Sequence, residues 1–255
     1  TLVSPKHKEA NGSLRKFDYI VSNPPFKLDF SDSRDTIAED TLRFWAGVPS
    51  IPKKDKKGMA IYLCFLQHIV YSLKETGKAA IVVPTGFITA KSGVEKKILQ
   101  KLVDGRMLSG VVSMPSNIFA NTGTNVSVLF IDRTNTEGKV VLMDASKLGT
   151  TIKDDGIQKT LLSETDIDKI ITTFHAKEPV DDFAVAVSYE DIVEKNYSLS
   201  AGQYFDIKID YVDITEEKFN QRMNNYKQTL TEQFAESHRL EVEIMAQLDS
   251  LKFNG

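Results

Sequence analysis

Apolar and polar positions fall in blocks along the chain, and each block predicts one element. Residues 17–22 (Phe-Asp-Tyr-Ile-Val-Ser) read as a short buried strand that stops at Asn23-Pro24-Pro25-Phe26, where two prolines forbid ladder bonds and helix alike. Residues 27–57 have no strong periodicity and finish in Lys53-Lys54-Asp55-Lys56-Lys57, a long charged connection. Ile61, Phe65, Leu66, Ile69 and Leu73 then recur at helical spacing over 58–76, with Gly77 placed as the helix stop. The continuous apolar run Ala79–Val83, closed by Pro84, suits a fully buried strand. A helix over 93–103 turns Ile98, Leu99 and Leu102 inward, and Met107–Met114 is the next strand, closed by Pro115. Asn125–Ile131 and Lys139–Met143 form a strand pair around the turn-like Thr134–Gly138.

Strand and helix in this order predict an α/β fold, a doubly wound and mainly parallel sheet with helices on both faces. The late strand pair is expected antiparallel at its edge. After residue 146 the texture changes. Residues 164–174 form a short amphipathic helix through Ile167, Ile170 and Ile171, and 183–205 are irregular and strand-poor. From Thr215 to Lys252 there is neither Pro nor Gly. Phe219, Met223, Tyr226, Leu230 and Phe234, then Leu240, Ile244, Leu248 and Leu251, make a coiled-coil-like stripe that slips near Ser237. This is one long helix or a helical hairpin. The division expected is 1–205 and 206–255.

Composition narrows the function. At 255 residues, against roughly 150 per domain, the chain is one large domain or one domain with an appendage. A net charge of −3 excludes a globally basic nucleic-acid coat, though not a local basic patch. One cysteine, Cys64, excludes an intramolecular disulfide and argues against a Cys-based zinc site. The four histidines, His7, His68, His175 and His238, are scattered and make no ligand pattern, so no metal is expected. No apolar run is long enough for a membrane span.

The chemistry concentrates at Asn23-Pro24-Pro25-Phe26, at the carboxyl end of a sheet strand, where open α/β sheets bind ligands. The Asn23 side-chain carbonyl accepts a hydrogen bond from an amino group. Pro25 has no N–H to compete for the Pro24 carbonyl, which remains a second acceptor. Two acceptors on one amine pull its nitrogen from planarity and free the lone pair for attack. They also stabilise the positive charge that develops there, so no strong base is needed. Phe26 offers a flat face for stacking a ring. Lys27, Lys53, Lys54, Lys56 and Lys57 are candidate contacts to phosphate groups of a ligand, against the plainer reading of a solvated loop.

This motif resembles the catalytic motif of S-adenosylmethionine-dependent methyltransferases that act on adenine N6. The wider chain, over about residues 15–205, resembles the modification (M) subunit of type I restriction-modification systems. Ala79–Ile88, Phe119–Phe130 and the Asn196-Tyr197-Ser198-Leu199-Ser200 run followed by Tyr204 are similar to that family's ordered segments. The resemblance implies a Rossmann-like methyltransferase sheet in residues 1–205. Asn23 and the Pro24 carbonyl then bind the amine, Pro25 keeps that carbonyl free, and Phe26 stacks a flipped adenine. It further implies S-adenosyl-L-methionine as cofactor, DNA as substrate, a specificity (S) subunit and a restriction (R) subunit as partners, and a cytoplasmic setting. The helical tail 206–255 docks on the partner, with packing on its own domain as the alternative. The sequence departs from the family in its cofactor site. Only Gly12 precedes Asn23, Gly105 and Gly110 lack a following Lys-Ser/Thr, and no G-x-G cluster occurs, so the cofactor-binding residues remain unknown. The expectation is the C-terminal part of a longer M subunit, inactive alone, with an exposed sheet edge open to self-association. Two other readings stay open: an N-methyltransferase for RNA adenine or protein glutamine, and a non-catalytic, partner-binding truncation.

Overall fold

A computed structural model describes residues 1–119, 124–136, 138–154, 156–206 and 214–251. Two compact units divide at Asp206/Ile207. In the first, β1 (Phe17–Ser22) is followed by a short helix α1 (Arg34–Glu39), α2 (Tyr62–Ser72), β2 (Leu73–Pro84), α3 (Gly93–Asp104) and β3 (Leu108–Ser113). Then come β4 (Val126–Asp132), β5 (Val140–Asp144), a hairpin of β6 (Thr150–Asp154) and β7 (Ile157–Leu161), α4 (Glu164–Ala176), β8 (Ala184–Val187) and α5 (Tyr189–Glu194).

Six strands make one sheet in the order β1-β2-β4-β3-β5-β8, with β6-β7 a separate two-stranded sheet. β1 and β2 are parallel, as are β3 and β5, while β4 runs against both its neighbours and β8 against β5. Four of the six strands therefore point one way, as the α/β pattern predicts. Alternation along the strands splits the core in two. Ile81, Val83, Val111, Leu129, Ile131, Val140 and Leu142 face α2, α3 and α5, through Leu63, Leu66, Ile98, Leu99, Leu102 and Ile192. Val112, Val141 and Met143 face the other way, where Ile170 and Phe174 of α4 cover them. Phe174 lies 4.7 Å from Phe130, ring to ring.

Several expectations are corrected. Gly77 is not a helix stop: α2 ends at Ser72 and Gly77 lies inside β2. It is glycine because a Cβ there would stand 2.9 Å from the Phe17 carbonyl oxygen of the neighbouring strand. β4 is not at the edge and does not pair with β5; it sits between β2 and β3. The 183–205 segment holds the edge strand β8, and the 146–163 segment holds a hairpin that sequence patterning missed. His7 and His68 are not scattered but lie 5.2 Å apart, ring to ring. Among the described residues no cluster of three or more His, Cys, Asp or Glu could hold a metal. Cys64 is fully buried, and burial pushes its thiol up to about 12, which fits an inert apolar packer.

The second unit contains α6 (Glu216–Ser250), one helix of 35 residues unbroken at Ser237. Thr215 caps it by accepting the Lys218 N–H. Phe219, Met223, Tyr226, Leu230 and Phe234, with Leu240, Ile244 and Leu248, are all exposed. Arg239 pairs with Glu236 and Glu243 one turn to either side. No described helix is long and apolar enough to cross a membrane.

Candidate active site

β1 delivers the motif to the sheet's carboxyl edge. Ser22 pairs with Ile81 in the ladder, and the next residues, Asn23-Pro24-Pro25, must leave it. Pro24 is buried, which anchors the turn, while Asn23 and Pro25 are exposed and Phe26 is half-buried. The Leu28 N–H donates to the Met59 carbonyl at 3.1 Å, fixing the chain beyond the motif against the approach to α2. Because β1, β2 and β3 all run toward this edge, the chain after β2 and after β3 arrives beside the motif.

The result is a cleft of about 810 Å³ lined by Asn23, Pro24, Pro25, Phe26 and Lys27, together with Ala60, Tyr62, Pro84, Gly86, Phe119 and Thr124. The motif's four residues are thus brought together on one wall. Among the described residues, no hydrogen bond engages the Asn23 side chain or the Pro24 carbonyl. Both acceptors are available to a ligand. The Phe26 ring stands edge-on to Tyr62 (6.3 Å, 77°), and Tyr62 edge-on to Phe87 (6.1 Å, 89°), a run of aromatics that holds Phe26 from behind. Burial, then the nearby Glu95 carboxylate, keeps the Tyr62 hydroxyl protonated well above its usual range. Behind the cleft the Thr85 N–H donates to the Asn125 carbonyl at 2.8 Å, and the Thr85 and Ser127 hydroxyls meet at 3.1 Å. These bonds tie the ends of β2 and β4 together.

Among the lysines, only Lys27 lines the cleft. Lys53, Lys54, Lys56 and Lys57 are exposed on the connection before α2. Lys56 and Lys57 lie close enough to Asp29 to help hold its carboxyl below the usual range, after the stronger effect of the Ser31 backbone and hydroxyl bonds. Gly123, and Ala120–Thr122 of the family-like loop, lie outside the described residues. The Asn196–Ser200 run is a latch rather than a site. Leu199 is buried and its N–H donates to the Ile88 carbonyl at 2.9 Å. Lys96 binds the Asn196 carbonyl and side chain, and Asn196 and Tyr197 both take positive φ (52° and 61°). Sequence reasoning missed Tyr62 and Phe119 as cleft residues. Phe119 stood inside a segment noticed for its resemblance, but nothing local says that it returns to Phe26.

The cleft sets two carbonyl acceptors beside an aromatic ring. Among the described residues that line it, none carries a carboxylate for ribose hydroxyls and none belongs to a glycine-rich turn of the kind that holds a nucleoside cofactor.

An open α/β sheet with a cleft at its carboxyl edge, walled by Asn23, Pro24, Pro25 and Phe26, is the frame of a nucleotide- or methyltransferase-type α/β domain. The chain belongs to the N-6 DNA methylase family, which it matches over residues 1–211. It is 29% identical to the type I restriction enzyme MjaIX methylase subunit of Methanocaldococcus jannaschii over 93% of its own length and 43% of that protein. It is 29% identical to the HindI methylase subunit of Haemophilus influenzae, over 94% and 52% respectively. The methyltransferase subunit of the type I restriction-modification system from Streptococcus thermophilus superposes with a TM-score of 0.61 at 30% identity, covering 75% of this chain and 38% of that one. The chain spans about half the length of the curated relatives it matches.

Proposed function

We propose that the chain forms the acceptor side of a DNA adenine-N6 methyltransferase of the type I modification class. The observation that carries this reading is the pair of unengaged carbonyl acceptors, Asn23 and Pro24, set beside Phe26 in one cleft. An adenine swung out of the duplex stacks on Phe26 in the cleft that Phe119 also lines, and its N6 amine donates one hydrogen bond to each acceptor. As the nitrogen bonds to carbon it becomes cationic, and both acceptors strengthen with that charge. The proton then leaves to water, so no buried base is required. The whole protein would draw the methyl group from S-adenosylmethionine, whose site the described cleft residues do not form.

Lys27 at the cleft, with Lys53, Lys54, Lys56 and Lys57 nearby in sequence, would hold backbone phosphates, while choice of sequence would fall to a specificity subunit. Residues 1–205 would serve as catalytic domain. The apolar stripe of α6 would dock on that subunit's helices, with the restriction subunit joining the larger complex. The test is methyl transfer by the assembled enzyme onto duplex DNA, followed by nucleoside analysis. Label in N6-methyladenine supports the reading. Label found only in RNA or in protein glutamine overturns it.

A further inference from the structure

The β6–β7 hairpin forms no ladder with the six-stranded sheet, so the fold alone does not explain it. It makes one backbone bond that matters to the cleft: the Thr160 N–H donates to the Asn117 carbonyl at 3.0 Å. Asn117 is held at φ 56°, in the left-handed region, and stands two residues before Phe119. Thr160 itself is buried, and its hydroxyl meets that of Thr151 across the hairpin at 3.2 Å.

The base of the hairpin is held just as firmly. Gly149, at φ 83°, lets the two strands close, since a Cβ there would stand 2.8 Å from the Leu161 carbonyl oxygen and from a Thr160 methyl. The Asp166 carboxylate accepts from the Ser163 hydroxyl at 2.7 Å and N–H at 2.9 Å, and the Gly149 backbone amide is close enough to help hold that carboxyl below its usual range, after the stronger effect of Ser163. That joins the hairpin to the first turn of α4, which packs on the sheet through Phe174 and Phe130. On the side before the hairpin, the Ala145 N–H donates to the Ser113 carbonyl at 2.9 Å. A continuous set of fixed contacts therefore runs from the sheet, through α4 and the hairpin, to the loop that carries Phe119.

We infer that the β6–β7 hairpin is a clamp, with Thr160 the positioning residue, which holds Asn117 and so sets Phe119 against the Phe26 wall of the cleft. The role given to Phe119 rests on the proposed function; the clamp itself does not. Without the Thr160 bond, the segment from Pro115 to Phe119 loses its backbone hydrogen bond to the hairpin.

The test uses the full chain labelled with 4-fluorophenylalanine, with the Phe119 fluorine resonance assigned by Phe119→Leu. Thr160→Pro deletes the donor, Thr160→Val keeps it, and a third variant replaces residues 150–161 with a short Gly-Ser link. The clamp requires the Phe119 resonance to move to the solvent-exposed position in Thr160→Pro and in the excision variant. The Phe130 and Phe174 resonances should stay in place, and Thr160→Val should match the parent. An unmoved Phe119 resonance in Thr160→Pro overturns it. If Thr160→Pro disturbs Phe130 as well, the excision variant decides by the same criterion. A second readout is binding of a short single-stranded oligonucleotide containing adenine. Thr160→Pro and Phe119→Ala should each weaken it about tenfold, within the range of one lost base–aromatic stack. The double variant should be no weaker than either, because one acts through the other; additive losses overturn the coupling. If the Phe119 resonance moves as expected but the oligonucleotide perturbs neither Phe26 nor Phe119 in the parent chain, the clamp stands and the base-holding reading falls.

Discussion

The two faces of the sheet have been finished to different degrees. On one, α2, α3 and α5 bury Ile81, Val83, Leu129 and Val140 to 1% exposure or less. On the other, α4 covers β3 and β5 and leaves β2 half-buried and β1 bare. Tyr19 and Val21 are 76% and 86% exposed, beside an apolar trough of about 540 Å³ that also takes in Ala80, Phe130, Ile171 and Phe174. Exposed β-branched and aromatic residues on an edge strand are unusual in a finished domain. The motif stands at the end of that same strand. Its Phe26 packs toward the finished face, through Tyr62 and Phe87.

Substitutions on the two faces should therefore differ sharply. Leu99→Ala, at a position with no solvent exposure, should cost about 2–5 kcal/mol in a urea unfolding experiment. A loss under about 1 kcal/mol would mean that the finished face is not the core.

The histidine pair gives a smaller effect, with a definite sign. His68 on α2 is buried, and burial, followed by the charge of Arg43 and the presence of His7, depresses its pKa to about 4. His7 is lowered too, first by burial and then by Arg43. Well above pH 6.5 both imidazoles are neutral whether folded or not. As pH falls from 6.5 toward 4 the unfolded chain takes up protons that the folded chain refuses, so stability declines through that window. His68→Gln should flatten the slope in denaturation series run across those pH values; an unchanged slope would remove His68 as its source. The smallest effect is expected on the bare face. Val21→Ser should shift the unfolding free energy by no more than about 0.5 kcal/mol, since the side chain is already in water.

The same contrast explains what was legible in the sequence. β1, β2 and β3 announce themselves because each is cut off by a proline or a turn, though β1 is not the buried strand expected, since none of its residues is buried; the motif is visible because Pro24 and Pro25 force the cut. Gly77 misled because Leu66, Ile69 and Leu73 keep helical spacing right up to the first residue of β2. β8 is four residues, Ala-Val-Ala-Val, whose small alanines give little alternation. The hairpin strands Thr-Thr-Ile-Lys-Asp and Ile-Gln-Lys-Thr-Leu are too polar to read as strands, since they do not face the core. The place of β4 between β2 and β3 is a long-range pairing choice, which no local pattern encodes. For the cleft, Asn23 and Phe26 were readable from their chemistry. Tyr62 and Phe119 were not, because only the sheet brings them there.

The most direct test of the central claim is methyl transfer to adenine in DNA by the assembled enzyme carrying Asn23→Ala, measured beside Val21→Ser. If Asn23 is an amine acceptor supported by the finished face, its removal should slow transfer by about 10²–10³-fold while DNA binding is largely kept. Val21→Ser, two residues away on the bare face, should transfer at the parent rate. Near-parental transfer by Asn23→Ala would contradict the account.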